Sequence, residues 1–77
     1  MATVRVYSTP ACPYCIKAKN YLKEKNVFFE SIDVSVDEQG LQEMIRVSGQ
    51  MGVPVILIDS EVIVGFDREK INAKLGL

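Results

Sequence analysis

Two cysteines, Cys12 and Cys15, stand where a run of strand-forming residues gives way to a helical pattern. This placement constrains the chain more than any other feature. Val4-Arg5-Val6-Tyr7 is rich in β-formers and reads as a strand. Ser8-Thr9-Pro10-Ala11 breaks it. From Pro13 to Lys25 the apolar positions follow helical spacing, with Tyr14, Cys15, Ala18, Tyr21 and Leu22 on one face. Lys17, Lys19, Asn20, Lys23 and Glu24 fall on the other, and Ile16 lies off the apolar face. Pro13 suits a first helical position, where its missing N–H has no intrahelical role. Cys12 is then the N-cap and Cys15 sits one turn in.

That position carries chemistry. Unpaired N–H groups and the positive end of the helix dipole converge on an N-cap. Both favour a thiolate, and a cysteine so placed has its pKa lowered from about 8.5 into roughly the 3.5–7.5 range. Thiolate is the attacking species in disulfide exchange. Cys12 is therefore read as the nucleophile, and Cys15, facing the apolar side, as the resolving thiol. The chain has no histidine, so no imidazole is available to activate Cys12. Any lowering of its pKa is expected from the helix start and nearby lysines. Other readings of the pair are a structural disulfide, half of a zinc site and two inert core cysteines. So short a loop gains little from closure, and zinc needs four ligands. A C-x-x-C after the first strand of a βαβ unit favours redox work.

The rest of the chain supplies that unit. Phe28 to Asp33 reads as a second strand after a break at Asn26, giving a right-handed parallel crossover. Ser35 with Glu38 forms a capping-box pattern. Leu41, Met44, Ile45 and Ser48 share one face of the helix that follows. Gly40 weakens it by about 1 kcal/mol relative to alanine, and Gly49 stops it. Val55-Ile56-Leu57-Ile58 is an apolar run suited to a strand buried on both sides. Asp59-Ser60 turns the chain, and Glu61-Val62-Ile63-Val64 returns as the hairpin partner at the sheet edge. Gly65 ends it. Asp67 is an N-cap for a last helix holding Ile71 and Leu75, with Phe66 and Ile71 matching a hydrophobic staple. The expected fold is α/β, in the order β-α-β-α-β-β-α, with four strands and three helices.

Composition excludes several functions. The chain has 77 residues, nine basic and ten acidic, with a formal net charge of −1. Its length suits one domain, residues 1–77. A nearly neutral chain lacks the basic footprint of nucleic-acid binding. No run approaches the roughly 18 apolar residues of a membrane span, and Met-Ala-Thr-Val-Arg-Val lacks a signal-peptide pattern. Two cysteines are too few for a disulfide-dense secreted domain. A cytoplasmic location is expected.

Pro54, in Met51-Gly52-Val53-Pro54-Val55, begins a strand, where a missing ladder donor is tolerated. Most bonds before proline are trans. A cis bond here exposes the Val53 backbone for pairing with an extended, peptide-like substrate.

Tyr7-Ser8, Cys12-Pro13-Tyr14-Cys15 with Ala18-Lys19, then Val53-Pro54 and Gly65, together resemble a glutaredoxin of the dithiol class. The resemblance spans essentially the whole chain, and Cys-Pro-Tyr-Cys is its most specific part. It implies a thioredoxin fold with a four-stranded mixed sheet and a cis bond before Pro54. It also implies reduction of protein disulfides and of glutathione mixed disulfides, with glutathione as reductant and co-substrate. Pro13, Tyr14, Val53, Pro54, Gly65, Phe66 and Asp67 would line the substrate and glutathione groove. The partners implied are glutathione and disulfide-containing or glutathionylated proteins, met by a monomer that needs no metal.

Three positions depart from the glutathione-binding pattern of the family. Thr9 stands where many members have lysine. Gly52-Val53-Pro54 replaces Thr-Val-Pro, and Gly65-Phe66 replaces Gly-Gly. The Gly-Phe pair is similar to the small hydrogen-donor redoxins of ribonucleotide reductase, which draw electrons from thioredoxin reductase. Backbone groups still fit glutathione: Val53 pairs with its cysteinyl part, and N–H groups near Asp67 and Arg68 suit a carboxylate. Lys17 and Lys19 belong to a solvated face that also attracts its negative charge. A third reading is a non-enzymatic module carrying a metal or a bridged iron–sulfur cluster, against which Pro13 stiffens the loop.

Overall fold

The computed structural model describes residues 3–77. Met1 and Ala2, part of the N-terminal segment read above for a signal peptide, lie outside the described residues. Seven elements follow in order: β1 (Val4–Ser8), α1 (Pro13–Glu24), β2 (Glu30–Asp33), α2 (Glu38–Ser48), β3 (Val55–Ile58), β4 (Glu61–Val64) and α3 (Arg68–Leu75). This is the β-α-β-α-β-β-α order expected from the sequence. The sheet order is β2-β1-β3-β4. β1 is parallel to β2, and β3 is antiparallel to both β1 and β4. β4 is an edge strand, as its position in the hairpin indicated.

Both faces of the sheet are covered. On one, Val4, Val6, Ile56, Ile58 and Ile63 pack with Ala18 and Leu22 of α1 and Ile71 of α3. On the other, Tyr7 and Val55 pack with Met44 of α2 and with Val34. Alternate residues of β1 and β3 therefore serve opposite cores, which is the period-two rule at work. A polar tie joins the layers. Tyr7 donates its hydroxyl to Glu43, and Arg5 donates to the same carboxylate at 2.7 Å while meeting Glu30 at 3.4 Å. On the other side, Tyr21 donates to Asn72 and meets the Phe66 ring edge-on at 5.8 Å. Phe66 packs against the cluster that contains Ile71, as a staple residue does. Among the described residues, no helix is long and apolar enough to cross a membrane.

Three local expectations need correction. β2 begins at Glu30, not Phe28. Its parallel pairing with β1 starts at the Arg5–Glu30 register, and Phe28, 92% exposed, precedes it. Asn26, at φ 59°, takes the left-handed conformation that turns the chain out of α1. The N-cap of α2 is Asp37, not Ser35: its side chain accepts from the Gly40 N–H at 2.9 Å. Ser35 instead donates its N–H and its hydroxyl to Asp33, which withdraws it from capping. Tyr14, placed above on the buried face of α1, is 61% exposed. It sits in the first turn, ahead of the core-packed Ala18 and Leu22, and the Lys17 ammonium lies 5.4 Å from its ring centroid.

Gly40 is buried where α2 crosses β2. A Cβ there would meet the Ile32 Cγ2 at 2.5 Å. Ile32 is β-branched and cannot swing that carbon away. The helix-propensity gain of Gly40→Ala, about 1 kcal/mol, is therefore outweighed by overpacking of roughly 1–3 kcal/mol. Chemical denaturation should show Gly40→Ala less stable than the parent chain; a more stable variant would contradict the close approach.

Candidate active site

The site forms where β1 ends and α1 begins. Cys12 is the N-cap of α1 and Pro13 occupies its first position, as the sequence indicated. The Cys12 backbone is extended, at φ −92° and ψ 114°. This turns its sulfur over the helix start, where it accepts from the Cys15 N–H at 3.3 Å. That is the N-cap bond a serine or aspartate makes elsewhere, here made by sulfur. The Cys12 thiol also reaches the Val53 carbonyl, at 3.8 Å. The Val53–Pro54 bond is cis.

The two sulfurs occupy opposite environments. Cys12 is partly exposed, whereas Cys15 has no exposed surface. The Cys12 pKa is lowered, chiefly by a hydrogen bond from the Cys15 thiol and further by the Cys15 and Tyr14 backbone N–H groups; desolvation opposes them. Burial, together with the Cys12 sulfur, pushes the Cys15 thiol up to about 11, against the Thr9 backbone N–H and the charge of Lys19. The expectation for Cys12 is thus corrected in one respect. The helix start contributes, but the leading donor is the partner cysteine. The lysine that acts on the pair, Lys19, acts on Cys15.

The other residues singled out from the sequence divide into two groups. Val53 and Pro54 lie beside the dithiol. Gly65 is tied to them, since its N–H donates to the Pro54 carbonyl at 2.8 Å. Its φ of 84° is one that favours glycine. Tyr14 and Pro13 are exposed at the rim. Phe66, partly buried, meets the Tyr21 ring edge-on, and the Asp67 side chain accepts from the Lys70 N–H, capping α3. Among the described residues, no group of three or more His, Cys, Asp or Glu side chains could hold a metal ion. Thr9 and Lys19 act on Cys15 in a way that the spacing alone did not reveal. The i, i+4 step from Cys15 to Lys19 was the available signal.

Residues 4–63 match the family model described as Glutaredoxin. The chain belongs to the glutaredoxin family. It is 48% identical over 69 residues to an uncharacterized glutaredoxin-like 8.6 kDa protein in the rubredoxin operon of Clostridium pasteurianum, covering 90% of this chain and 92% of that one. It is 40% identical over 67 residues to glutaredoxin 3 of Escherichia coli K12, covering 87% of this chain and 81% of the relative. Among solved structures, a glutaredoxin of Archaeoglobus fulgidus is similar at a TM-score of 0.86 and 28% identity, covering 97% and 87% of the two chains. The thioredoxin fold expected from the resemblance is the fold observed, and the chain is a glutaredoxin-family thiol redoxin.

The lowering of the Cys12 pKa by the Cys15 thiol has a measurable consequence. Cys15→Ala removes the leading donor to the Cys12 thiolate, so the Cys12 titration should move up in pH. Alkylation rises with pH as thiolate forms, and its midpoint should lie below that of an ordinary thiol in the parent chain. Iodoacetamide rates across pH will show a higher midpoint in Cys15→Ala; an unchanged midpoint would remove Cys15 as the donor.

Proposed function

We propose that this glutaredoxin is a dithiol thiol–disulfide oxidoreductase in which Cys12 attacks, Cys15 resolves and glutathione restores the dithiol. The asymmetry of the two sulfurs supports the first two roles. The accessible one has the lowered pKa and the buried one the raised pKa. At neutral pH the accessible sulfur is the one with the larger thiolate fraction, and thiolate is what attacks.

The cycle follows from these positions. Cys12 thiolate attacks a substrate disulfide, forming a Cys12 mixed disulfide and releasing one substrate thiolate. Cys15 then attacks the Cys12 sulfur. The Cys12–substrate bond breaks, a Cys12–Cys15 bond forms, and the second substrate thiol leaves. The substrate disulfide gains two electrons and the dithiol loses two. Two glutathione thiols return them through a Cys12–glutathione intermediate. A glutathionylated protein needs only Cys12, since its single mixed disulfide passes glutathione to that sulfur.

Three features support glutathione as the reductant. The Val53 carbonyl stands beside Cys12, where the backbone of a cysteinyl peptide can pair. The Asp67 carboxylate takes the Lys70 N–H, which leaves the first N–H groups of α3, beginning at Arg68, for a ligand carboxylate. Family membership agrees with both. The partners in this reading are disulfide-containing or glutathionylated proteins. The site is a monomer working in a reducing cytoplasm, where a C-x-x-C pair is kept as thiols.

Thr9, Gly52 and the Gly65-Phe66 pair favour a second reading. They depart from the glutathione-binding pattern and agree with a redoxin recharged by thioredoxin reductase, serving an enzyme such as ribonucleotide reductase. Phe66 is held by Tyr21, so its ring is part of the packing at the start of α3.

Two assays test the proposal. Cys12→Ser should reduce both disulfide reduction and deglutathionylation to the background of solution exchange, while Cys15→Ser keeps deglutathionylation and loses most protein-disulfide turnover. Retained activity in Cys12→Ser would overturn the mechanism. NADPH oxidation should be sustained by glutathione with its reductase; turnover only with thioredoxin reductase would replace the glutathione reading with the second one.

A further inference from the structure

The resolving step meets an obstacle that the attacking step does not. Cys15 has no exposed surface, and its thiol is held up at about 11. It must nonetheless attack as a thiolate. A buried anion requires hydrogen-bond donors within reach. One is the Thr9 backbone N–H, which favours the ionised form of Cys15. Cys12 and Lys19 are the titratable groups that act on Cys15, and Lys19 also acts on Asp33 at the end of β2.

Ser8 carries a donor that is not committed elsewhere. It is the last residue of β1 and is 1% exposed. Among the described residues, its hydroxyl is the buried side-chain polar group with no hydrogen-bond partner. Buried hydroxyls are ordinarily paired, so this one calls for a reason.

Its place in the fold gives the reason. Val4 and Val6 point to the cluster that contains Ala18 and Leu22 of α1, while Tyr7 points to the opposite core. The period of two puts Ser8 on the α1 side with Val4 and Val6. α1 is the crossover between the parallel strands β1 and β2, so it runs back along β1 and meets its residues in reverse order. Cys15, one turn before Ala18, thus falls against the end of β1, where Ser8 lies. The action of Thr9, the next residue after Ser8, on the Cys15 sulfur agrees with this register.

We propose that Ser8 is a positioning residue for Cys15, its hydroxyl turning to donate to the Cys15 sulfur as the resolving thiolate forms. The hydroxyl keeps its own proton. The proton that Cys15 gives up ends on the departing substrate thiolate, as the Cys12–substrate bond breaks and the Cys12–Cys15 bond forms. A hydroxyl bound to a thiolate is a charge-assisted donor, stronger than one between neutral groups. An unpaired hydroxyl in the resting dithiol is therefore matched to an anion that exists only during turnover.

The inference rests on the reading of Cys15 as the resolving thiol, and its test separates the two. In a Cys12→Ser background, the 13Cβ chemical shift of Cys15 followed across pH titrates that thiol alone. Ser8→Ala should move that titration up by about one pH unit, a tenfold loss of thiolate at a given pH, while Ser8→Thr keeps it in place. In the chain with both cysteines, single-turnover kinetics give the rate of resolution relative to attack. That ratio should fall about tenfold at neutral pH in Ser8→Ala and recover in Ser8→Thr. Ser8→Val against Ser8→Thr provides the same comparison at matched shape, should the alanine variant fold poorly. Titrations and ratios that do not separate hydroxyl-bearing from hydroxyl-free variants would overturn the role of Ser8. If the parent chain itself held the mixed disulfide without resolving it, the reading of Cys15 would fail instead.

Discussion

β1 is hydrogen-bonded along both edges, to β2 on one side and β3 on the other, and the rest of the molecule depends on it. A strand so placed cannot shift register without breaking two ladders and exchanging two cores. Its alternating residues, Val4 and Val6 toward α1 and α3, Tyr7 toward α2, anchor both layers. Its end therefore lies at a fixed point. The loop from Thr9 to Ala11 and the start of α1 are delivered from that point, and the dithiol with them.

The chemistry of the dithiol follows from helix geometry. Two residues separate an N-cap from the third helical position, and across that distance the surroundings reverse. Cys12 looks outward, with backbone N–H groups aimed at its sulfur. Cys15 looks inward, into the layer packed against β1. Each pKa unit between them corresponds to about 1.36 kcal/mol of preference for placing the negative charge on Cys12. The effect of the Cys15 thiol on the Cys12 sulfur couples the two. The thiol that waits to resolve also stabilises the thiolate that attacks.

Rules that act within a few residues made much of this legible in the sequence. Cys12 as N-cap and Pro13 after it, Asp67 capping α3 and Gly49 ending α2 all rest on local backbone chemistry, and all stand in the structure. Side-chain bonding, strand pairing and packing decided the rest. Ser35 and Asp37 are both good cap residues, and only the hold of Asp33 on Ser35 settles which one serves. Phe28 and Phe29 are both good strand formers, but β1 offers pairing only from Glu30 onward. Gly40 looks like a weak point in a helix until Ile32 is placed across from it. The donor to Cys12 depends on where the Cys15 thiol points, which no spacing rule supplies. Ser8 continues the Val4, Val6 alternation, so its inward direction was readable; its lack of a partner was not.

The central claim is that the two cysteines are unequal because of where α1 begins. The most direct measurement is the site of modification when the reduced protein meets less than one equivalent of iodoacetamide at neutral pH, read by peptide mass spectrometry. The account predicts label on Cys12 with Cys15 left as a free thiol. Equal labelling of the two, or label first on Cys15, would contradict it.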